Sequence, residues 1–558
     1  MNPLSRVAGM AVDRAIGLHG MAEAYALYRD VAVPMPDGVV LLGDHYRPAR
    51  NDAPMPAVLI RSPYGRSGFA GMMFAAPLAR RGFQVFIQST RGTFGSGGQF
   101  RPFLHERDDG LATVAWLREQ PWCDGRVSMT GGSYLGHTQW AIAPYVDPPL
   151  ESVSLNITAA KITAAFYEHG APGLRNALNW TGLIGRQERG PLAIAPNPVQ
   201  IARMRSALRK VPLQAADVDV AGAPVAFWRD FVEHSAAGDD FWARVDHHGA
   251  DLTRLPPVTM VTGWWDLFLL EQLRDYAAIR RAGVTARLIV GPWLHGEPSE
   301  IRAICQQDVA WLSHHLAGAA PPPHPPVRVY LQQAGSWLEF DQWPPSGAIE
   351  TSYYLRTAGR LRPDSEPGAP MPAWFIYDPA DPTPSAGGPV LQPPGKQVDN
   401  AAIESRSDVL TYTTDSFAAD QDLVGPVSAR IFIRTEINYA DVFVRLCDVD
   451  KKSVSRNIVD GIRRLSPDTV PGADVQVGPG GVLAVDVELF PTAYRVRAGH
   501  RLRLQVCGGS FPRYARNFGT AEPFGAAHSG RRCRFEIFAD AQHPSCLVLP
   551  FFRKIASA

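Results

Sequence analysis

Apolar and polar positions follow three different rhythms along this chain. In the first, short apolar runs of strand length (57–64, 84–90, 127–130, 257–263 and 286–290) alternate with stretches whose apolar residues recur at helical spacing (71–81, 108–120, 134–143, 267–282 and 299–316). Strands alternating with helices of this length predict a mainly parallel sheet covered on both faces. The rhythm breaks over residues 159–250, a segment rich in Ala, Arg, Trp and Pro with little strand character, which predicts a helical insertion. Beyond the proline run at 321–326 the pattern turns to short β-rich segments separated by turn signals, among them VRVYLQQ (327–333), SAGGPV (385–390), SARIFIRTEI (428–437), VLAVDVELF (482–490) and CRFEIFAD (533–540). These predict an all-β sandwich of jelly-roll type.

The same pattern supplies boundaries. Residues 1–24 read as a helical extension with an apolar stripe of Val7, Met10, Ala11 and Ile16, able to pack on the body of the protein or on a second copy. Residues 25–158 form the first part of the α/β core, opened by two strands joined across a Pro-Asp-Gly turn. The insertion at 159–250 separates it from the second part at 251–320, and 321–558 is the β domain. The stiff proline run marks the last boundary.

Composition narrows the function. With 558 residues, 46% hydrophobic and 20% charged, the chain is long enough for several cores and is neither disordered nor membrane-like in composition. A net charge of +1 gives no electrostatic footprint for nucleic acid. The six cysteines form no C-x-x-C pair, so neither a zinc ribbon nor a disulfide framework is expected. The N-terminal stretch is interrupted by Arg6, Asp13 and Arg14, which argues against a signal peptide, and no apolar run is long enough to span a membrane. A cytoplasmic protein is expected.

The candidate chemistry starts at VSMTGGSYLG (127–136), an apolar strand that runs through two glycines into Ser133 and then a helix. Such a strand–turn–helix elbow holds a serine hydroxyl above the end of a sheet, with free helix N–H groups facing developing negative charge. A serine among glycines also occurs in ordinary turns and caps, so the elbow needs partners. Asp266 follows one predicted strand end and His295 follows the next, and active residues of α/β sheets sit at the carboxyl ends of strands. The chain order Ser, Asp, His is that of the α/β-hydrolase triad: imidazole takes the serine proton, and the carboxylate fixes its tautomer and stabilises its charged form. His137, four residues past Ser133 on the same helix, reads as a packing residue; His247, His248, His314 and His315 lie away from strand ends. For the oxyanion, the N–H of Tyr134 and the phenol of Tyr64 at the end of AVLIRSPY are the candidate donors.

With these residues in hand, the chain resembles the cocaine-esterase-like and X-Pro dipeptidyl-peptidase-like serine hydrolases. The resemblance is carried by SPYGR (62–66), TRGTFGSGGQF (90–100), WCDGRVSMTGGSYLGHTQW (122–140), GWWDLF (263–268), GPWLHG (291–296) and FPRYARN (511–517). It implies an α/β-hydrolase core with a helical cap insertion and a C-terminal all-β jelly-roll domain. It also implies Ser133 as nucleophile, Asp266 and His295 as its partners, Tyr64 and the Tyr134 N–H as the oxyanion hole, and no metal or organic cofactor. Phe166 and Phe268 stand where relatives place pocket aromatics. Two departures stand out. The elbow is G-x-S-x-x-G, a form the family shares, and Gln88-Ser89-Thr90 precedes the Arg-Gly loop where related sequences often carry Asp in the middle. No acidic pair for a substrate amine is evident; Glu168 is a single candidate and is expected to be an exposed cap residue. The expected activity is therefore hydrolysis of a small ester or amide, or of a short peptide. An X-Pro dipeptidyl-peptidase, and a catalytically idle protein that binds through its jelly roll, are the alternatives. A homodimer is compatible with the N-terminal helix and the large β face.

Overall fold

The computed structural model describes residues 3–18, 23–49, 53–190, 193, 197–235, 239–364, 371–392, 395–472 and 474–553. Its first sheet is built from β1 (Tyr25–Pro34), β2 (Val40–Pro48), β3 (Met55–Ser62), β4 (Gln84–Ser89), β5 (Cys123–Met129), β6 (Val153–Ser154), β9 (Val258–Trp265), β10 (Ala286–Leu294), β11 (Val327–Leu331) and β12 (Ser336–Phe340). Two further short strands, β7 (Tyr167–Glu168) and β8 (Ala171–Pro172), pair only with each other, in the insertion. The order across the first sheet is β1-β2-β4-β3-β5-β6-β9-β10-β11-β12. Pairing is parallel from β4 to β11 and antiparallel at both margins. Central strands such as β4 and β9 are buried at every position, as strands covered on both faces must be.

The expected end of the core at residue 320 is not where the sheet ends. VRVYL, just past the proline run, pairs with β10 in the register Leu288↔Val327 to Val290↔Val329 and brings β12 with it as the new edge. The proline run therefore carries the chain across to a neighbouring strand position in the same sheet. SAGGPV is a second difference: Gly387 and Gly388 take φ of 60° and 86°, left-handed values that break a strand, and the segment is a loop. The insertion carries the helices Leu174–Ile184, Pro198–Arg209, Ala216–Ala221 and Ala226–Glu233 together with the β7–β8 hairpin.

Residues 1–2 and 19–22 of the expected N-terminal extension lie outside the described residues. Its helix, Pro3–Ala15, docks on the body: Asp13 accepts from Arg80 Nε at 2.9 Å and Arg81 Nη1 at 3.1 Å, while Ile16 and Leu18 pack on Cys305. Met10 of the expected stripe is exposed.

The C-terminal region is the all-β jelly-roll domain. Its long strand Gln421–Thr435 pairs with Leu483–Val496, and Ala440–Val449 is buried along its whole length between Ser455–Leu465 and Arg501–Cys507. One apolar core passes from Leu59, Met129 and Val290 of the first sheet, through Leu331 and Trp343, to Leu355, Val427 and Val485 of the sandwich.

What positions the site is a polar brace beneath the strand ends. Asp308, on the helix Pro298–Ala317, accepts from the Thr130 hydroxyl at 2.6 Å and from the Asn156 side-chain amide at 3.0 Å. The Asn156 side-chain oxygen accepts from the Val261 N–H, and its backbone oxygen from the Ser133 N–H, both at 3.0 Å. The ends of β5 and β6 are thus tied to one carboxyl, and through Asn156 so is the middle of β9; burial pushes the pKa of that carboxyl up to about 6. Replacing Asp308 by Ala leaves two buried donors without partners, each such loss being worth roughly 1–3 kcal/mol. Asp308→Ala is expected to lower unfolding free energy by about 2–3 kcal/mol in urea titrations; an unchanged midpoint would show that the brace carries no load.

Candidate active site

Ser133 stands between β5 and the helix Tyr134–Trp140 at φ 61°, ψ −124°. This sharp conformation is rare for a residue with a side chain and throws the Oγ outward. The glycines of the elbow make room for it. A Cβ on Gly131 would lie 2.5 Å from Leu135 Cβ, and one on Gly136 would lie 2.5 Å from Thr158 Cγ2. Gly136 is therefore required by the approach of the helix to the chain beyond β6, which accounts physically for the G-x-S-x-x-G spacing.

Asp266 and His295 follow the ends of adjacent strands β9 and β10. His295 Nε2 lies 3.0 Å from Ser133 Oγ, and His295 Nδ1 lies 2.7 Å from Asp266 Oδ2. Asp266 is 0% exposed, and its other oxygen accepts from the Phe268 N–H at 2.7 Å. The carboxylate thus organises the turn into the following helix and receives the imidazole at the same time. The loop carrying His295 is gripped on both sides. The Leu294 N–H donates to Glu297 at 2.9 Å and the Gly296 N–H donates to Glu300 at 2.7 Å. Glu297 in turn is bridged by Lys396 of the β domain at 2.6 Å. Burial, and then the nearby charge of Asp266, hold the Glu300 carboxyl well above the ordinary carboxylate range.

Ser133 opens into a small cavity of about 30 Å³ lined by Tyr64, Phe103, Tyr134, Ile162, Phe166, Asn176, Trp180, Leu267, Phe268 and Leu391. Phe166 and Phe268 both line it, as do the two candidate oxyanion donors. The Tyr64 hydroxyl accepts from the Trp180 indole at 3.0 Å, and burial pushes the phenol up to about 12, so it is protonated at neutral pH. The Tyr134 N–H is the first of its helix and has no intrahelical acceptor; among the described residues no backbone oxygen takes it either. The Tyr134 side chain points away: its hydroxyl donates to Glu106 and accepts from the Phe103 N–H, both at 2.8 Å. Glu106 is paired with buried Arg61 at 2.8 Å.

His137 is fully buried against Phe103, Tyr134 and His247, and burial drives its pKa well below the usual value, so it packs as a neutral ring. Gln88 and Ser89, the latter at the position where related sequences often carry Asp, hold arginines: Gln88 accepts from Arg61 and Ser89 from Arg66. Among the described residues no cluster of three or more His, Cys, Asp and Glu side chains is arranged to hold a metal ion, and no helix is long and apolar enough to cross a membrane.

Glu168 requires a correction, because it is not an exposed cap residue. Placed on β7, it turns inward against the β domain, accepting from the Tyr514 hydroxyl and from Arg513 Nη2 at 3.4 Å. Arg513 is also paired with buried Asp460. Glu168 lines a second, smaller cavity of about 10 Å³ that shares Asn176 and Leu267 with the first, and its Oε1 is buried without a hydrogen-bond partner. The long reach of Arg513 and Tyr514 across from FPRYARN makes this burial, and nothing in the sequence around Glu168 foretells it.

The comparisons with known proteins follow the same division of the chain. Residues 37–297 match the family model described as X-Pro dipeptidyl-peptidase (S15 family), and residues 322–547 match that of the X-Pro dipeptidyl-peptidase C-terminal non-catalytic domain. The cocaine esterase of Rhodococcus sp. (strain MB1 Bresler) is 30% identical over 574 residues, covering 95% of this chain and 99% of that protein. Among solved structures, an α-amino acid ester hydrolase aligns with a TM-score of 0.77 at 21% identity, covering 96% of this chain and 98% of its own. An aminopeptidase from a marine sediment Thaumarchaeota archaeon aligns with a TM-score of 0.76 at 21% identity, covering 95% and 97%. A chain so related is an enzyme, which sets aside the catalytically idle alternative.

Burial, outweighing the charge of Arg513, lifts the Glu168 carboxyl to about 7 from its ordinary 4.5. A raised acid pKa means that the folded state binds the proton more tightly than the unfolded chain. Stability therefore falls as pH rises from about 4.5 to about 7 and is level above that. Glu168→Gln, which keeps an acceptor for Tyr514 and Arg513 but cannot ionise, is expected to gain on the wild type in thermal midpoint progressively across that window. A variant midpoint that stays level with, or loses ground to, the wild type as pH rises through that window would contradict this assignment.

Proposed function

The chain belongs to the S15-type, cocaine-esterase-like serine hydrolases, and from that premise we propose that it cleaves a carboxylic ester or amide through an acyl-enzyme on Ser133. The observation that carries the reading is the continuous contact from buried Asp266 through His295 to Ser133, 2.7 Å and 3.0 Å, at the mouth of an apolar cavity.

Each step follows from these positions. As Ser133 Oγ attacks the carbonyl carbon, its proton passes to His295 Nε2, and the imidazolium is stabilised by Asp266 on the opposite nitrogen. The carbonyl oxygen becomes an oxyanion, met by the Tyr64 phenol and the Tyr134 N–H. Collapse of the tetrahedral intermediate expels the alcohol or amine, which takes the proton back from His295. Water enters, gives its proton to the same nitrogen, attacks the acyl carbon, and the acid departs as Ser133 is reprotonated. Phe166, Phe268, Trp180 and Leu391 suit an acyl part that is apolar and flat, since aromatic walls reward ring burial. Small-molecule esters and amides are the substrate class this favours.

Ser133→Ala is expected to abolish both turnover of p-nitrophenyl acyl esters and labelling by a fluorophosphonate probe. Tyr64→Phe should keep the label but lower kcat by roughly 10²–10³-fold, the usual result of losing one oxyanion donor. Full labelling of the alanine variant would overturn the assignment of the nucleophile.

A second reading is favoured by one observation, the unpartnered buried Glu168 Oε1 in the adjoining cavity. A substrate long enough to pass Asn176 and Leu267 and ending in an ammonium group would find an acceptor there, as an amino-acid ester or an X-Pro peptide would. On that reading Glu168→Gln raises KM about tenfold or more for an amine-bearing ester while leaving its N-acylated counterpart little changed, a difference consistent with losing one charged hydrogen bond. Equal effects on both substrates would leave the plain esterase or acylase as the function.

A further inference from the structure

We propose that Trp180 is a positioning residue for the oxyanion hole: by donating its indole N–H to the Tyr64 hydroxyl, it turns the phenolic proton toward the carbonyl oxygen bound at Ser133. The inference rests on Tyr64 serving as an oxyanion donor.

A phenol has one proton to donate and an oxygen that also accepts, whereas an indole N–H can only donate. Trp180 Nε1 lies 3.0 Å from Tyr64 Oη, so in this contact the tyrosine oxygen is the acceptor and its own proton must point elsewhere. Among the described residues no other side chain or backbone group takes that proton. Tyr64 and Ser133 line the same cavity, which leaves the cavity as the direction in which the proton is offered. An accepted hydrogen bond also polarises the O–H and strengthens it as a donor.

The indole is itself held. Trp180 lies on the cap helix Leu174–Ile184, stacked on Phe103 with ring centres 5.4 Å apart and set edge-on to Phe227 at 4.5 Å. A short way along the chain, Gln187 Nε2 donates to the Pro63 carbonyl at 2.9 Å, fastening the backbone that carries Tyr64. One stretch of the cap therefore fixes both the backbone and the hydroxyl of the donor before substrate arrives. A donor whose direction is set in advance pays no reorganisation at the moment charge develops. The cap thus contributes to the chemistry as well as to the walls of the pocket.

The test is a double-mutant cycle on kcat and KM for a p-nitrophenyl acyl ester. Trp180 is replaced by benzothienylalanine, which exchanges the N–H for sulfur at nearly constant shape, and separately by Phe (Trp180→Phe). Each is made with Tyr64 and with Tyr64→Phe, and thermal midpoints are recorded to verify folding. With Tyr64 present, loss of the indole N–H is expected to lower kcat roughly 5- to 20-fold, the scale of one hydrogen bond, with KM within about twofold. With Tyr64→Phe, the same replacement should change kcat by less than about twofold. A benzothienylalanine enzyme with wild-type kcat, or an equal loss in both backgrounds, would overturn the inference and leave the oxyanion reading intact. A Tyr64→Phe enzyme with wild-type kcat would instead overturn the oxyanion reading, and the role of Trp180 with it.

Discussion

Ser133 is held at a backbone conformation that costs a residue with a side chain on the order of 1–3 kcal/mol, and much of the surrounding architecture serves to hold it there. Its N–H is taken by Asn156, whose side chain is fixed by Val261 on one side and Asp308 on the other. Asp308 also takes the Thr130 hydroxyl. Two strand ends, the middle of β9 and a helix of the second half of the core are thereby locked around one dihedral pair. That arrangement requires the parallel sheet to be continuous across the insertion: β6 precedes the cap, β9 follows it, and the two are hydrogen-bonded neighbours. The cap can vary without disturbing the elbow, because the chain leaves and re-enters the sheet at adjacent positions.

The β domain is equally bound to the site, by a different route. Leu391 reaches the cavity, and Lys396 bridges Glu297, which holds the Leu294 N–H beside His295. On the far side, Arg513 and Tyr514 hold Glu168 of the cap hairpin and tie it to the buried Asp460 of the sandwich. Removing one partner from so buried a set leaves an uncompensated charge, so the cap, the core and the sandwich are fixed to one another by groups that cannot separate cheaply. The pocket is accordingly a product of all three segments, and the Ser133–His295–Asp266 contact of the core alone.

This division explains what the sequence could disclose. The elbow, Asp266 and His295 were legible because each sits directly after a strand whose pattern is visible, and strand order fixes their convergence. Phe166 and Phe268 were legible only through resemblance. Trp180, Phe103, Asn176 and Leu391 carry no local signal of their role, since what brings them together is the docking of distant segments. Glu168 was misread for the same reason: an acid in a polar stretch looks exposed until Arg513 and Tyr514, 345 and 346 positions away, cover it. The extension of the first sheet past the proline run was hidden because a stiff linker between patterns looks alike whether it joins two domains or two strands of one sheet.

The placement of two acids around His295 shows how the sheet ends also set the electrostatics. Asp266 and Glu300 are both buried and close enough for the charge of one to raise the pKa of the other. A second negative charge this near in a low-dielectric interior is costly, which adds to burial in raising the Glu300 carboxyl. Glu300 has one N–H, from Gly296, and an oxygen with no partner; Asp266 has the Phe268 N–H and the imidazole. Glu300, on the helix that follows β10, fixes the backbone beside His295 through the Gly296 N–H, while Asp266, at the end of β9, is the acid in contact with the ring. Holding the histidine loop and meeting its imidazole are divided between two acids on neighbouring elements, a division that a single carboxylate could not provide.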